Sequence, residues 1–340
     1  MSDKSAKKNR ISMREISELA GVSVATVSRV INDNGRFSEK TRQRVKRVID
    51  EYDYIPSAIA RGLRTNKVEV IGIIVPDIVN EFFARLALIV QKELFRYGYS
   101  TLIYNTDEID EIEQKHISAL IAQNVSGIIH ISDDHKIKRQ MLRLNVPTVY
   151  VDRTRLGDEQ GNCATVESDN EMGGYMAGRE LISAGCKNPI ILADERKLMT
   201  QINRYKGYLR ALTENQMVLP QDAVLYVEKV DYETAYKKVA DYLHTGREVD
   251  GIFATTDWLA VGAIKCLSDH GYKVPQQVKV VGFDDISIAA FGPIPLTTIK
   301  QDVDTIGSFA SETLINMMAG AKVTEKNQTI PVTLIKRETT

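Results

Sequence analysis

Gly21 separates two helical patterns by a single sharp turn, and this arrangement limits the possible folds of the first 65 residues more than any other feature. Ser12 and Glu15 have capping-box spacing, so a hydroxyl and a carboxylate can satisfy each other's free amides where a helix opens. Ile16, Leu19 and Ala20 then fall on one face, and Gly21 stands where a helix end needs a residue tolerant of positive φ. Ser23 can cap a second helix whose buried stripe is Val27, Val30 and Ile31. Its outward positions are Val24, Ala25, Thr26, Ser28, Arg29 and Asn32, a small, polar and cationic face that suits the base edges and phosphates of a major groove. A third helix from Ser38 has Val45, Val48, Ile49 and Tyr52 to close the miniature core, with Lys40, Arg42, Arg44, Lys46 and Arg47 on its other face. The competing reading is a generic three-helix bundle with solvated charges.

Charge asymmetry separates the two. Residues 1–65 hold 14 Lys plus Arg against 8 Asp plus Glu, a net +6, whereas the remainder holds 30 against 37, a net −7, which together restore the whole-chain −1. A basic head on an acidic body is expected to bind DNA through phosphates with a strong salt dependence, and the body is expected to stay off it. Residues 1–10 read as a disordered basic arm.

After Tyr54-Ile55-Pro56 comes Ser57-Ala58-Ile59-Ala60-Arg61-Gly62-Leu63-Arg64-Thr65, helical in composition but too short to be stable alone. An ordinary linker does not need an apolar Leu63 flanked by Arg61 and Arg64. A minor-groove kink does, because a leucine can part a base step while guanidinium groups hold phosphates.

These residues resemble the lactose-repressor family of bacterial transcription regulators. The matching phrases are Gly21 to Asn32, Ser38 to Arg42 and Asp53 to Leu63. The resemblance implies that Leu63 is the hinge leucine of a pseudo-palindromic operator and that Val24 and Ala25 choose the half-site. The expected DNA-contacting set is Ser23, Val24, Ala25, Thr26, Ser28, Arg29, Asn32 and Arg36 in the headpiece, with Ser57, Ala60, Arg61 and Leu63 in the hinge.

From residue 66 onward, strand-like apolar runs alternate with amphipathic helical stretches: Val70 to Val75, Thr101 to Tyr104, Gly127 to Ile131, Thr148 to Val151, Pro189 to Ala193, Ala223 to Val227, Gly251 to Thr255 and Val278 to Phe283. That rhythm predicts parallel sheets with helices on both faces, in a stretch long enough for two domains. Polar residues gather after the strands, among them Asp77, Asn80, Asn105, Asp107, Asp133, Asp134, Asp152, Arg153, Thr256, Asp257, Asp284 and Asp285. Ligands in open α/β sheets bind at that edge, and two facing sheets would enclose one solute.

The body is also similar to the periplasmic-sugar-binding-like core of the same family, through Ile71 to Asp77, Asn80 to Phe83, Thr255 to Ala263, Val280 to Asp284 and Leu296 to Gln301. The implied architecture is an all-α helix-turn-helix headpiece (11–55), a hinge (56–67) and a two-lobed α/β core (68–340). The first lobe is expected to comprise 68–164 and 298–327, and the second 165–297 and 328–340, with crossings near Thr165, Thr297 and Gln328. Stacked rings with paired donors and acceptors suit a sugar. The Asp152-Arg153 pair resembles one that grips sugar hydroxyls, and Phe82, Phe83, Arg204, Tyr232, Asp257, Asp284 and Gln301 match other sugar-contacting positions. Thr256 departs from the Asn of ribose-binding relatives, which leaves the identity of the sugar open. A purine or a phosphosugar is the alternative effector.

No catalytic or cofactor signature is expected. The five histidines form no His-Glu-x-x-His pair, no P-loop or Gly-x-Gly-x-x-Gly run occurs, and Cys163, Cys186 and Cys266 lack metal-ligand spacing. Without a long apolar stretch, the chain is expected to be cytoplasmic, with no metal, no cofactor and no membrane partner. The expected partners are double-stranded operator DNA, a small-molecule effector and a second copy of the chain, since two-fold DNA calls for a two-fold protein. The tail carries no apolar heptad extension, so a dimer is expected rather than a tetramer. A protein co-effector stays open. The rival from another class is a sugar-binding protein that carries a basic head without reading DNA.

Overall fold

The computed structural model describes residues 11–31, 33–54, 69–131, 146–152, 162–196, 198–321, 323 and 325–340. Contacts within the chain divide it into an amino-terminal unit and a core that begins at Glu69. The basic arm, Asn32, the hinge with Ser57, Ala60, Arg61 and Leu63, and Arg153 with Asp133 and Asp134 lie outside the described residues.

In the amino-terminal unit, α1 (Met13–Ala20), α2 (Val24–Ile31) and α3 (Glu39–Glu51) follow in order. The reciprocal box forms at the start of α1: the Ser12 hydroxyl accepts from the Glu15 amide, and Glu15 accepts from the Ser12 amide. Gly21 ends it at φ 60, ψ 41, its N–H donating to the Glu18 carbonyl, in the left-handed region where a side chain costs energy. Ser23 caps α2 by accepting from the Thr26 amide at 3.1 Å. Ile16, Ala20, Val27, Val30, Val45 and Val48 form the core. Leu19 is exposed and Ser17 takes the inner place, its hydroxyl donating to the Arg14 carbonyl at 2.7 Å. Tyr52 also stays outside, and Tyr54 packs on the core instead.

The core contains two six-stranded sheets. The first runs β2 (Ser100–Asn105), β1 (Val70–Val75), β3 (Gly127–Ile131), β4 (Thr148–Val151), β5 (Cys163–Ser168), β11 (Asn327–Ile330), with every pairing parallel. The second runs β7 (Val224–Val227), β6 (Pro189–Asp194), β8 (Gly251–Ala254), β9 (Lys279–Asp284), β10 (Thr297–Gln301), β12 (Val332–Ile335), parallel except for antiparallel β12. Inner strands such as β3 and β6 are buried along their whole length, as a sheet covered on both faces requires.

Two helices matter for the first lobe. α4 (Glu81–Arg96) and α11 (Val303–Met318) pack together, and Leu86, Val90, Leu94, Ile306, Ala310 and Leu314 join the strands in one apolar cluster. In the second lobe, α6 (Asn170–Ser183), α7 (Met199–Glu214), α8 (Tyr232–His244) and α9 (Asp257–Asp269) flank the sheet. The chain changes lobes after Ser168, after Gln301 and between Ile330 and Val332, a few residues beyond the expected 165, 297 and 328. A strand can leave a sheet only where its ladder ends, and β5 keeps pairing with β4 and β11 through Val166 and Ser168.

Candidate functional site

The outward face of α2 shows Val24, Ala25 and Arg29 to solvent, with Arg36 exposed in the following turn. Ser23 and Thr26 bond each other at 2.9 Å, so their hydroxyls both cap the helix and sit at its leading edge. Ser28 corrects the sequence expectation: it is only 2% exposed. In an eight-residue helix held by two others the covered arc is wider than the apolar stripe, and a small hydroxyl beside Val27 falls under it. Arg42 is also drawn inward, pairing with Asp33 at 2.5 Å and lying over the Phe37 ring, which leaves Lys40, Arg44, Lys46 and Arg47 to carry the exposed charge of α3.

The second candidate site lies where the carboxyl ends of the two sheets meet, and Arg204 on α7 is its centre. Its Nε donates to Asn170 Oδ1 at 2.8 Å, its Nη1 donates to the Thr255 carbonyl at 2.6 Å, and Nη1 stands 3.6 Å from Asp284 Oδ1. The guanidinium lies 3.7 Å over the Phe283 ring, a cation–π contact that fixes its plane. Asn170 opens α6 and donates to Asp152 Oδ1 at 3.4 Å and to the Ser168 carbonyl at 3.1 Å. Asp284 accepts from Gln301 Nε2 at 2.7 Å, and Gln301 Oε1 accepts from Ser168 Oγ at 2.5 Å. Ser168, Gln301, Asp284, Arg204 and Asn170 thus close a polar ring, to which Asp152 is attached. Two of its members, Ser168 and Gln301, end strands at points where the chain passes between lobes.

Burial raises the carboxyl of Asp152, against the pull of Arg204 and Asn170. It pushes Asp284 up to about 7, again opposed by Arg204 and Gln301. Asp257 is held well above its ordinary range, by burial first and then by nearby Asp284. Asp152 and Asp284, perturbed beside one guanidinium, mark a site prepared for a polar guest.

Asp257 itself does not face the cleft. It is fully buried, Oδ1 accepting from Thr298 Oγ1 at 2.5 Å and Oδ2 from the Ile286 amide at 2.9 Å, so it ties β10 and the loop after β9 to the start of α9. The reason is steric as well as electrostatic: Gly282 has no side chain and leaves the space that the carboxylate fills. Phe82 is likewise a core residue of the first lobe, while Phe83, edge-on to it with centroids 5.2 Å apart, stays half-buried. Tyr232 is 49% exposed at the start of α8, its hydroxyl donating to Glu233. Arg204, Asp152, Asp284 and Gln301 are the expected residues that the fold brings together. Ser168 and Asn170 were not anticipated. Strand β5 lies outside the apolar runs that mark other inner strands in the sequence, although Ser168-Asp169-Asn170 repeats the polar-after-strand pattern seen elsewhere.

The lobes touch outside the ring. Ser287 donates through its amide and hydroxyl to Glu81, Arg196 pairs with Glu108, and Trp258 packs on the first lobe's apolar cluster.

A basic three-helix unit joined to a two-lobed core with a buried polar ring defines a ligand-responsive DNA-binding regulator. Residues 12–57 match the family model for bacterial regulatory proteins of the lacI family, and residues 179–340 match the periplasmic binding protein-like domain. The chain is 32% identical over 330 residues to a ribose operon repressor of Halalkalibacterium halodurans, covering 96% of each. It is 31% identical over 323 residues to the HTH-type transcriptional repressor PurR of Actinobacillus pleuropneumoniae, covering 94% of each. Among solved structures, the Lac repressor dimer bound to operator and the anti-inducer ONPF superposes with a TM-score of 0.87 at 25% identity, covering 97% of this chain and 99% of that one. The chain belongs to the lacI family of bacterial regulatory proteins.

Proposed function

We propose that this protein represses transcription from a pseudo-palindromic operator as a homodimer, and that a small uncharged sugar in the cleft controls its hold on DNA. The observation that carries the effector reading is the polar ring. It offers carboxylate acceptors from both lobes, Asp152 and Asp284, beside a guanidinium whose donors already serve Asn170, Thr255 and Asp284. Such a set welcomes hydroxyl donors and opposes a phosphate. Arg153 is proposed as a second fork and Phe83 as the apolar wall for a sugar's CH face; Tyr232 is proposed to close the rim. The name of the ribose operon repressor from H. halodurans supports a pentose. The nearly equal identity to PurR and the half-buried Phe83 support a second reading, a purine base.

Thermal-shift titration against pentoses, hexoses, sugar phosphates and purines tests this, because a ligand of the native state raises its melting temperature by mass action. The expected result is a response to a free sugar that Arg204→Ala removes. A response confined to purines selects the second reading, and one confined to sugar phosphates sinks the uncharged-ligand argument. Gel retardation with and without the responding sugar then shows whether it releases the protein from a palindrome or fastens it there.

A further inference from the structure

Four consecutive residues, beginning with the last of β9, are each held by a different part of the chain. Asp284 accepts from Gln301 at the end of β10, and Asp285 Oδ1 accepts from Arg337 Nη2 at 2.6 Å. The Ile286 amide donates to Asp257, and the Ser287 amide donates to Glu81 of the facing lobe at 3.0 and 3.1 Å. Asp284 and Asp285 have φ of 111° and 55°, successive left-handed residues that persist only where the surroundings hold them.

Gln301 belongs to the cleft, Glu81 to the opposite lobe and Asp257 to the buried start of α9. Arg337 comes from the tail beyond β12, and neither the ring nor the lobe contacts account for it. Its Nη1 donates to the Leu296 carbonyl at 2.8 Å, its amide donates to Thr297 Oγ1 at 2.9 Å, and the ion pair is only 19% exposed on the arginine and 15% on the aspartate. The tail beyond it is stitched down: buried Thr339 donates to the Val280 carbonyl at 2.6 Å and accepts from the Thr297 amide at 2.9 Å, while the Val280 amide donates to the Thr339 carbonyl at 2.9 Å. A planar fork on an anchored segment is the donor that can hold an aspartate in one orientation.

We propose that Arg337 is a positioning residue of the effector site, gripping Asp285 so that the left-handed bend aims Asp284 at Arg204 and sets Ser287 against Glu81. This rests on reading the cleft as the effector site. The tail after β12 is then part of ligand recognition, although it touches no ligand itself, and the bend links ligand recognition to lobe contact.

The experiment uses full-length Arg337→Ala and Arg337→Lys with D-ribose as probe. Amide hydrogen exchange in the ligand-free protein should quicken at least tenfold over residues 284–287 in Arg337→Ala while β6 and β8 keep their protection. The ribose concentration for half-maximal thermal shift should rise at least tenfold, and Arg337→Lys should recover part of it by restoring the ion pair without the bond to Leu296. Unchanged exchange over 284–287 overturns the proposal. So does loosening spread across the whole second lobe with a matching loss of operator retention in the absence of ribose, which would mean general destabilisation. A ribose response that is unmoved while the bend loosens also overturns it. If the unsubstituted protein ignores ribose, the pentose reading fails separately, and the exchange measurement alone decides whether Arg337 holds the bend.

Discussion

Burial pushes the Asp284 carboxyl up to about 7 from its ordinary 3.8, with Arg204 and Gln301 pulling the other way and Asp152 adding to the rise. An acid whose folded value lies above its unfolded one binds its proton more tightly in the native state. Its contribution to stability is therefore complete below about pH 4 and is lost as pH climbs through about 7. Asp152 and Asp257 are shifted in the same direction. The ligand-free protein should accordingly melt at lower temperature at pH 8 than at pH 5.5, and Asp284→Asn should flatten part of that slope in a calorimetric pH series, the rest belonging to Asp152 and Asp257. A melting temperature that rises over this interval would contradict the assignment. The same substitution should weaken sugar binding by about tenfold or more, the worth of a hydrogen bond to a charged acceptor. Asp284 was legible in the sequence as a polar residue after a recognisable strand, and Arg204 and Gln301 through the positions they share with the family's sugar-contacting pattern. Asp257 satisfied the same rule and faces inward, since nothing in a linear pattern tells which side of a turn a carboxylate takes.

Between elements, the approach of α6 to α7 decides where Arg204 sits relative to Asn170. The helices meet at Gly174 and Gly207: a Cβ on Gly174 would collide with the Arg204 carbonyl oxygen, and one on Gly207 with the Glu171 carbonyl oxygen. Gly207→Ala must push the pair apart, at a cost of about 1–3 kcal/mol or more for overpacking, and it should separate Arg204 from Asn170. Urea denaturation should show the midpoint falling, and the sugar response should weaken further than in an exposed control on the same helix such as Lys206→Ala. Equal sugar binding in Gly207→Ala and the unsubstituted protein would show that helix spacing does not set the site. In a sequence a helical glycine signals only a weaker helix, because close approach is a property of two segments at once. The strands of both sheets were largely legible from their apolar runs. Where the chain crosses between lobes was displaced by a few residues, because that point depends on where ladder partners end.

On the scale of the whole molecule, a two-fold operator needs two headpieces, and the core carries a strip of exposed apolar side chains. Phe95 is 75% exposed and Leu88 is exposed on the same face of α4, while Gln91 between them donates to Thr101 on β2, beside exposed Ile103. We propose a second copy of the chain as the occupant of this apolar strip. Phe95→Glu should yield monomers by sedimentation equilibrium and reduce the preference for a palindrome over a half-site. Leu63→Ala should instead leave the dimer intact and weaken specific binding while sparing loose, salt-sensitive association with random duplex. Equal loss on both DNAs would remove the wedge role, and a Phe95→Glu dimer would remove the strip from the interface.

Capping residues, the turn glycine, apolar periodicity and charge were enough to determine from sequence alone that a basic helix-turn-helix precedes an acidic α/β core of two lobes. Each of those signals acts over a few residues and is written in consecutive positions. The tertiary structure alone decided that Ser28 and Asp257 face inward, that Ser168 and Asn170 complete the ring around Arg204, and that Arg337 reaches Asp285 across 52 residues of chain. Those contacts join segments distant in sequence, and their geometry exists only once both sheets, with their crossings, have been packed.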